Sequence, residues 1–200
     1  MELDFGNLRP AECYKVLASL ITPRPIAWVT TADPAGVVNA APFSFFNCFG
    51  SNPPIIAFAP GDREPGLPKD TARNIRRSRE FVVNIADEPL ADRMVATSAS
   101  LPWGESELEA TGLTTMASAT VAVPRISEAP VALECREWAT LEIGSNRMVV
   151  GTVHHAHVRD GLLDPETLHL DNNRFHPVGR MAAPDWYCRT GDQYEIVRPG

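Results

Sequence analysis

The feature that most constrains this chain is a long stretch without charged residues, which runs from Pro34 to Gly61. It is long enough to cross a bilayer. Three asparagines and three prolines interrupt it: Asn39, Asn47, Asn52, Pro42, Pro53 and Pro54. In hydrocarbon these residues would leave side-chain amides and broken helix hydrogen bonds unsatisfied. We therefore predict buried strands and loops of a soluble fold, with no membrane segment.

Turn signals indicate that the strands are joined as hairpins. Asp33-Pro-Ala-Gly36 separates two β-prone segments, 26–31 and 37–41, and Gly144-Ser-Asn146 separates a longer pair, 131–143 and 147–158. At least six strands and two or three helices follow one another without regular strand–helix alternation. This pattern predicts a mainly β fold with added helices, an antiparallel barrel or sandwich. No internal repeat or linker divides the chain, so we expect one domain over residues 1–200.

Charge and cysteine content exclude several classes of protein. The net charge of −7, without a basic block, is unfavourable for binding nucleic acid through phosphates. The four cysteines are widely spaced and include no CxxC pair, which favours reduced thiols acting as small buried hydrophobic residues over a zinc site or a disulfide framework. The first ten residues contain acids and no apolar core of a signal peptide, so we expect a cytoplasmic location.

Motifs for nucleotide, metal and hydrolytic sites are largely missing from the sequence. The GxGxxG, Walker A, HExxH and GxSxG patterns do not occur. The group His154-His155-x-His157 is the one candidate metal cluster, but side chains alternate along a strand, so His154 faces away from His155 and His157. A histidine pair without a carboxylate beside it is a weak ligand set. We predict a strand surface or pocket lining there, and no metal.

A second candidate site lies at the start of a predicted helix, where Lys69-Asp-Thr-Ala-Arg-Asn74 places a lysine and a hydroxyl. We expect Asp70 to cap a helix over 71–79. The helix dipole and the free N–H groups of the first turn favour a phosphate. The alternative is a capped, solvated helix start.

Two further segments could hold a flat ligand. Asn39-Ala-Ala-Pro-Phe-Ser-Phe-Phe46 has small residues that let a ring approach the backbone, and Pro42 removes a donor from a sheet ladder. The alternative is a distorted strand that ends in core aromatics. Near the C-terminus, Pro177-Val-Gly-Arg180 and Trp186-Tyr187 could cover a planar ligand, or form a tail that wraps the barrel.

The order of these segments resembles the flavin reductase-like family of FMN-binding split barrels, which includes flavoredoxin-type proteins. The likeness spans about residues 10–190. The matching blocks are Thr22–Val29, Asn39–Phe46, Lys69–Thr71 with Asn74-Ile75, Glu80–Asn84, Glu107–Leu113, Ala132–Cys135, Gly151-x-Val153-His154 and Pro177–Arg180.

This resemblance implies a homodimer of antiparallel split β-barrels that holds FMN near the subunit interface. It implies backbone contacts with the isoalloxazine ring from Asn39, Ala40, Ala41, Pro42, Phe43 and Ser44. It implies that Ser44, Lys69 and Thr71 hold the phosphate, that Thr30 and Thr31 face the flavin, and that Arg180 and Tyr187 complete the pocket. His154 would act at the nicotinamide side, although the expected glycine-aspartate-histidine pattern reads Gly151-Thr-Val-His154 here.

The resemblance further implies an NAD(P)H-dependent flavin reductase that transfers hydride through flavin N5. Three alternatives stay open: a flavoredoxin-type electron carrier, a non-catalytic flavin-binding module, and a β-barrel binding protein without flavin.

Overall fold

The computed structural model describes residues 1–199. The α-helices are α1 (Pro10–Leu20), α2 (Asp70–Ser78), α3 (Ala91–Ala96) and α4 (Glu107–Thr111), and two 3-10 helices cover Phe5–Asn7 and Glu88–Leu90. The strands are β1 (Ala27–Ala32), β2 (Val38–Phe43), β3 (Phe46–Ser51), β4 (Pro54–Phe58), β5 (Asp62–Glu64), β6 (Leu67–Pro68), β7 (Glu80–Ile85), β8 (Thr115–Met116), β9 (Arg125–Ile126), β10 (Val131–Ile143), β11 (Asn146–Val158), β12 (Gly179–Arg180) and β13 (Tyr187–Cys188).

Seven strands form one antiparallel sheet in the order β2-β1-β7-β10-β11-β4-β3. Both predicted hairpins are present, β1 with β2 and β10 with β11. In the first turn, the Asp33 carboxylate accepts hydrogen bonds from the backbone N–H groups of Ala35 and Val37 at 2.8 Å each. The turn therefore closes as its sequence predicts.

The sheet curls until its two ends meet, which makes it a barrel. Phe43 of β2 and Phe58 of β4 lie near opposite ends of the strand order, yet their ring centroids are 5.3 Å apart. Phe81 of β7 continues this aromatic row at 5.5 Å from Phe58. Offset aromatic pairs at these distances stabilise a core beyond the area they bury. The prediction of a mainly β, antiparallel barrel with added helices is confirmed.

The barrel is split between β2 and β3, because these consecutive strands are the two edges of the sheet. Ser44 and Phe45 form the connection between them. The outer side of β2 is therefore not paired with another strand, which explains how Pro42 is accommodated within it. A ligand can therefore approach this edge, although the backbone N–H of Ala40 already donates to Glu107 and the carbonyl of Val38 already accepts from Ser106.

Helices α3 and α4 and the segment after them cover the outer face of β1 and β2. A second core cluster joins this layer to the sheet and includes Trp28, Met94, Leu108 and Ile126. The indole Nε1 of Trp28 also donates to the hydroxyl of Thr97 at 3.0 Å. This packing brings α4 onto β2.

Three local predictions need correction. Helix α2 begins at Asp70 with Lys69 as the N-cap, so Asp70 is not the cap; its carboxylate accepts from Arg63 at 3.1 Å instead. The sequence predicts an irregular segment over 100–115, with Trp103-Gly104 in a loop, but α4 lies within it. All four cysteines are free thiols as expected, but Cys48 is exposed and only Cys135 is fully buried.

Among residues 1–199, no helix combines the length and the apolar character needed to cross a membrane. The cytoplasmic location stays a prediction.

Candidate functional site

A small cavity of about 90 Å³ lies between β2, the start of α2 and the segment before α4. Its volume suits a group of about the size of a phosphate. The residues that line it are Asn39, Ala41, Pro42, Phe43, Arg63, Lys69, Asp70, Thr71, Thr97, Ser98, Ala99, Ser100 and Glu107. Of the predicted site residues, the structure thus brings together Asn39, Ala41, Pro42, Phe43, Lys69 and Thr71.

A buried hydrogen-bond network fixes one wall of this cavity. Glu107 accepts from the side-chain amide of Asn39 at 2.8 Å and from the backbone N–H of Ala40 at 3.0 Å. The amide oxygen of Asn39 in turn accepts from the hydroxyl of Thr71 at 2.9 Å. Strand β2, helix α2 and helix α4 are therefore held in one arrangement, because a buried network is stable only when its members are satisfied.

Glu107 is only 6% exposed. Burial raises the pKa of its carboxyl, and the hydrogen bonds from Ala40 and Asn39 oppose that rise. Sequence reasoning did not select Glu107 as a site residue; it appeared only at the start of a block that resembles the family. No local signal marks it, since its partners lie 67 and 68 residues away.

The start of α2 provides the positive side of the cavity. The first backbone N–H groups of a helix have no intrahelical partner; here Arg73 is the first residue whose N–H reaches back, to the Lys69 carbonyl at 3.0 Å. Lys69 is exposed at the rim of the cavity, and its Nζ lies 5.7 Å from the centroid of the Phe43 ring. Burial, together with the nearby charge of Arg63, lowers the pKa of Lys69. Within residues 1–199, no carboxylate forms an ion pair with this ammonium group.

Ser44 lies at the other end of the Asn39–Ser44 segment and lines a second cavity, of about 260 Å³. Its hydroxyl accepts from Nε of Arg24 at 3.4 Å. The small cavity is lined by β2 as far as Phe43, and the second cavity begins at Ser44, the next residue in the chain. Ser44 thus lines a different cavity from Lys69 and Thr71, with which the resemblance implies that it holds a phosphate.

Thr30 and Thr31 are fully buried and line neither cavity. The hydroxyl of Thr30 donates to the Pro124 carbonyl at 2.8 Å. Thr31 belongs to the network behind the small cavity, since its hydroxyl accepts from Asn74 at 3.1 Å and lies 3.4 Å from the amide oxygen of Asn39. Thr31 supports the site from behind. Ala40 likewise contributes its backbone N–H to Glu107.

The tail residues Arg180 and Tyr187 pair with each other across the β12–β13 hairpin. The guanidinium of Arg180 lies 4.7 Å from the Tyr187 ring centroid and donates to the carbonyls of Trp186 and Pro184. The backbone of Arg180 also exchanges two hydrogen bonds of 2.9 Å with that of Arg24. The tail is thus fastened beside the second cavity.

His154 is exposed and lines neither cavity. It falls at a β-bulge, because Val153 pairs with Cys135 and His155 pairs with Glu134, which leaves His154 without a partner. Its Nε2 lies 2.9 Å from the hydroxyl of Thr152. The catalytic role predicted for His154 stays a prediction.

The prediction that no carboxylate lies beside the other two histidines is wrong. Glu134 pairs with His155 across the sheet, and its Oε1 lies 2.5 Å from Nε2 of His157. The candidate ligand atoms of these three residues lie within 4.8 Å of one another. However, the Glu134 carboxylate also accepts from Ala119 and Thr120 through three contacts of 2.6 Å. Its acceptor positions are thus occupied, and it serves to fix the 119–120 loop and His157.

Comparison with known proteins places this architecture among flavin-related proteins. The model of the Flavin reductase like domain matches residues 19–179. An uncharacterized protein of Deinococcus radiodurans is 42% identical over 98% of this chain and 88% of its own length. The uncharacterized protein YwrF of Bacillus subtilis is 36% identical over 96% of each chain.

Solved structures agree with this assignment. Nitrilotriacetate monooxygenase component B from Bacillus cereus superposes with a TM-score of 0.93 at 32% identity, over 98% of both chains. The 2-nitrobenzoate 2-nitroreductase NbaA of Pseudomonas fluorescens gives 0.90 at 36% identity, over 100% of this chain and 96% of that one. A split-barrel protein from Shewanella frigidimarina superposes with a TM-score of 0.85 at 21% identity, over 100% of each chain. At this identity the likeness shows the fold alone.

Proposed function

The chain belongs to the flavin reductase-like domain family, and on that premise we propose that it is an FMN-binding oxidoreductase that takes hydride from NAD(P)H. The observation that carries the proposal is the small cavity at the start of α2, which joins directly onto the free edge of β2. Two solved structures that are more than 30% identical to this chain are named as a monooxygenase component and a nitroreductase, and both names denote oxidoreductase systems.

The residues present fit FMN in three respects. Lys69 offers a cation without a protein counter-charge, and the first turn of α2 adds N–H donors for a phosphate. Ala41, which lines the small cavity, lets a flat ring approach the strand. The unpaired edge of β2 leaves room beside Ala41 and Pro42 for such a ring. The bound cofactor would supply the hydride chemistry, for which the protein provides position and electrostatics.

The chain's own contribution is therefore to orient and to bind. Glu107 holds Asn39 and the backbone of Ala40, so the β2 edge keeps its position. Thr71 ties the helix start to the same network. In this proposal Lys69 and the first turn of α2 bind the phosphate, Thr31 supports them from behind, and Ser44 contacts the far end of the ring rather than the phosphate. Arg180 and Tyr187 close the pocket from the tail, and His154 serves the nicotinamide side.

Titration of the purified protein with FMN tests this proposal, using two lysine variants. The chain has two lysines, Lys69 and Lys15 on the exposed side of α1. Loss of a charge-assisted phosphate contact is worth about 1.5–3 kcal/mol, so Lys69→Ala should raise the FMN dissociation constant about tenfold or more. Lys15→Ala should leave it unchanged. Riboflavin, which has no phosphate, should bind both variants alike; an FMN affinity insensitive to Lys69→Ala would refute the phosphate assignment.

A flavoredoxin-type electron carrier is a second candidate. It is favoured by one observation, the exposed position of His154 away from both cavities. Anaerobic mixing of the FMN-loaded protein with NADH or NADPH separates the two. Loss of the visible flavin band indicates the reductase, whereas a retained band that an electron-donor protein bleaches indicates the carrier. A flavin that neither donor reduces would indicate a non-catalytic module.

We also propose that two copies associate through a face formed by α1 and β3. Three large apolar side chains on these two elements are exposed and do not line the second cavity: Tyr14, Leu20 and Phe49. Exposed apolar side chains grouped on one face mark interaction sites on soluble proteins.

A further inference from the structure

The second cavity is built around a buried cation that has no counter-charge. Arg24 is 5% exposed, and its guanidinium donates to the carbonyls of Ala18, Ile21 and Met181 at 2.5, 2.6 and 3.0 Å. These groups are neutral. Among the residues described, 1–199, no carboxylate lies within ion-pairing distance of Arg24. A buried charge is unfavourable unless it is paired, so this site is electrostatically incomplete.

A second cation lies close to Arg24. Burial lowers the pKa of Arg24; Tyr14 opposes this change, and the positive charge of Arg180 adds to it. Within residues 1–199, the one carboxylate at ion-pairing distance from Arg180 is that of the exposed Asp185, 3.9 Å away. The potential in the cavity therefore favours an anion.

The other polar groups of the lining are donors. Ser44 accepts from Arg24, which leaves its own hydroxyl proton free to be donated. The side-chain oxygen of Asn47 accepts from the backbone N–H of Cys48 at 2.8 Å, which leaves the amide NH₂ group free. The carbonyls near Arg24 already accept from it. A ligand in this cavity thus meets hydrogen-bond donors.

The walls of the cavity are apolar. They consist of Leu17, Ile21, Pro23, Pro25, Phe45 and Phe46, around a volume of about 260 Å³. Cavities with apolar walls and a few convergent polar groups are typical of small-molecule sites. Donors and positive charge at one point, with apolar walls elsewhere, match a small organic anion with an apolar body.

We propose that this cavity binds an aromatic or aliphatic carboxylate, the substrate that meets the far end of the cofactor bound along β2. The carboxylate accepts from Ser44 and Asn47, and Arg24 supplies the counter-charge. This inference rests on the proposed function for the role of the anion as substrate. The pocket itself depends only on Arg24, Ser44, Asn47 and the walls around them.

Benzoate is a suitable probe, with benzyl alcohol as its neutral counterpart, and calorimetry measures both. We expect benzoate to bind at least about tenfold more tightly than benzyl alcohol, with the difference reduced in Ser44→Ala. Leu17→Trp should abolish benzoate binding because the indole fills the cavity. The matched control is Leu20→Trp, on the same helix but outside the cavity, which should bind as the wild type does. Equal binding of the two probes, or equal loss in the two tryptophan variants, would overturn the proposal.

The same titrations with FMN-loaded protein distinguish this inference from the proposed function. If benzoate binds the protein but FMN does not bind it at all, the proposed function is refuted and the pocket stands. FMN binding without any benzoate binding refutes the pocket. Benzoate that binds only by displacing FMN shows that the cavity belongs to the cofactor, and this also overturns the proposal. Sedimentation of each variant shows whether a second copy covers the cavity in place of a ligand, which would overturn it as well.

Discussion

The side-chain amide of Asn39 donates to the carboxylate of Glu107 across 2.8 Å, although 68 residues separate them in the sequence. This contact fastens the ligand-facing edge of β2 to α4. Glu107→Ala would leave the Asn39 amide and the Ala40 N–H without a partner, at a cost of about 1–3 kcal/mol in the free energy of unfolding. Urea denaturation measures that loss, and FMN affinity should fall with it. Glu109→Ala, exposed on the same helix, should change neither quantity.

The lowered pKa of Lys69 predicts a pH dependence of FMN binding. Burial first, and then Arg63, lower this pKa below its usual value of 10.5. The ammonium therefore loses its proton at a lower pH than an ordinary lysine does, and FMN affinity should begin to weaken while the pH is still below 10.5. Lys69→Arg keeps its charge throughout and should show a flatter profile. Parallel profiles for the two proteins would contradict the prediction.

Glu134 predicts a loss of stability in acid. Burial would raise the pKa of its carboxyl, but hydrogen bonds from Thr120, Ala119 and His157 outweigh burial and lower it to about 2 from 4.5. Because the folded pKa is the lower one, the stabilisation is complete above about pH 4.5 and disappears as the pH falls towards about 2.

Glu134→Gln should therefore destabilise the protein by about 1–3 kcal/mol at neutral pH and by less near pH 3. Thermal denaturation across this range provides the measurement. Glu142→Gln, on the same strand and half exposed, removes only surface ion pairs and should cost about 1 kcal/mol or less. A Glu134→Gln effect independent of pH would argue against the ionised carboxylate.

Gly151 is required by close packing inside the barrel. A Cβ at this position would lie 2.5 Å from Cζ of Phe81. Gly151→Ala should destabilise the protein by about 1–3 kcal/mol through overpacking. Gly191→Ala is the control, since its Cβ would meet nothing closer than 3.6 Å. Equal unfolding midpoints for the two variants would show that β11 can shift at no cost.

The exposed apolar face of α1 and β3 predicts a dimer that a charge can disrupt. Phe49 on β3 is 67% exposed. Phe49→Asp should shift the sedimenting mass towards that of the 21.9 kDa monomer. Ile143→Asp, at the distant β10–β11 turn and 65% exposed, should not. A wild-type protein that sediments as a monomer would refute the association itself.

Much of the fold could be predicted because its signals are local. The turn at Asp33–Gly36 and the bounds of β10 follow from turn residues and alternation within a few positions. Helix α4 could not be predicted in this way. It is five residues long, and it is held by Ser106, which donates to the Val38 carbonyl at 2.6 Å, and by contacts of Glu107 with β2. Short helices depend on tertiary contacts rather than on propensity.

The sequence by itself determined the hairpins, the antiparallel class and the presence of a helix after Lys69, because turn geometry and helix propensity depend on neighbouring residues. Only the tertiary structure decided which side chains share a site. It brought Glu107 to Asn39, Glu134 to His157, and Arg24 to Ser44. The reason is that strand register, bulges and the curl of the sheet set these distances, and each of them is fixed by packing between segments far apart in the chain.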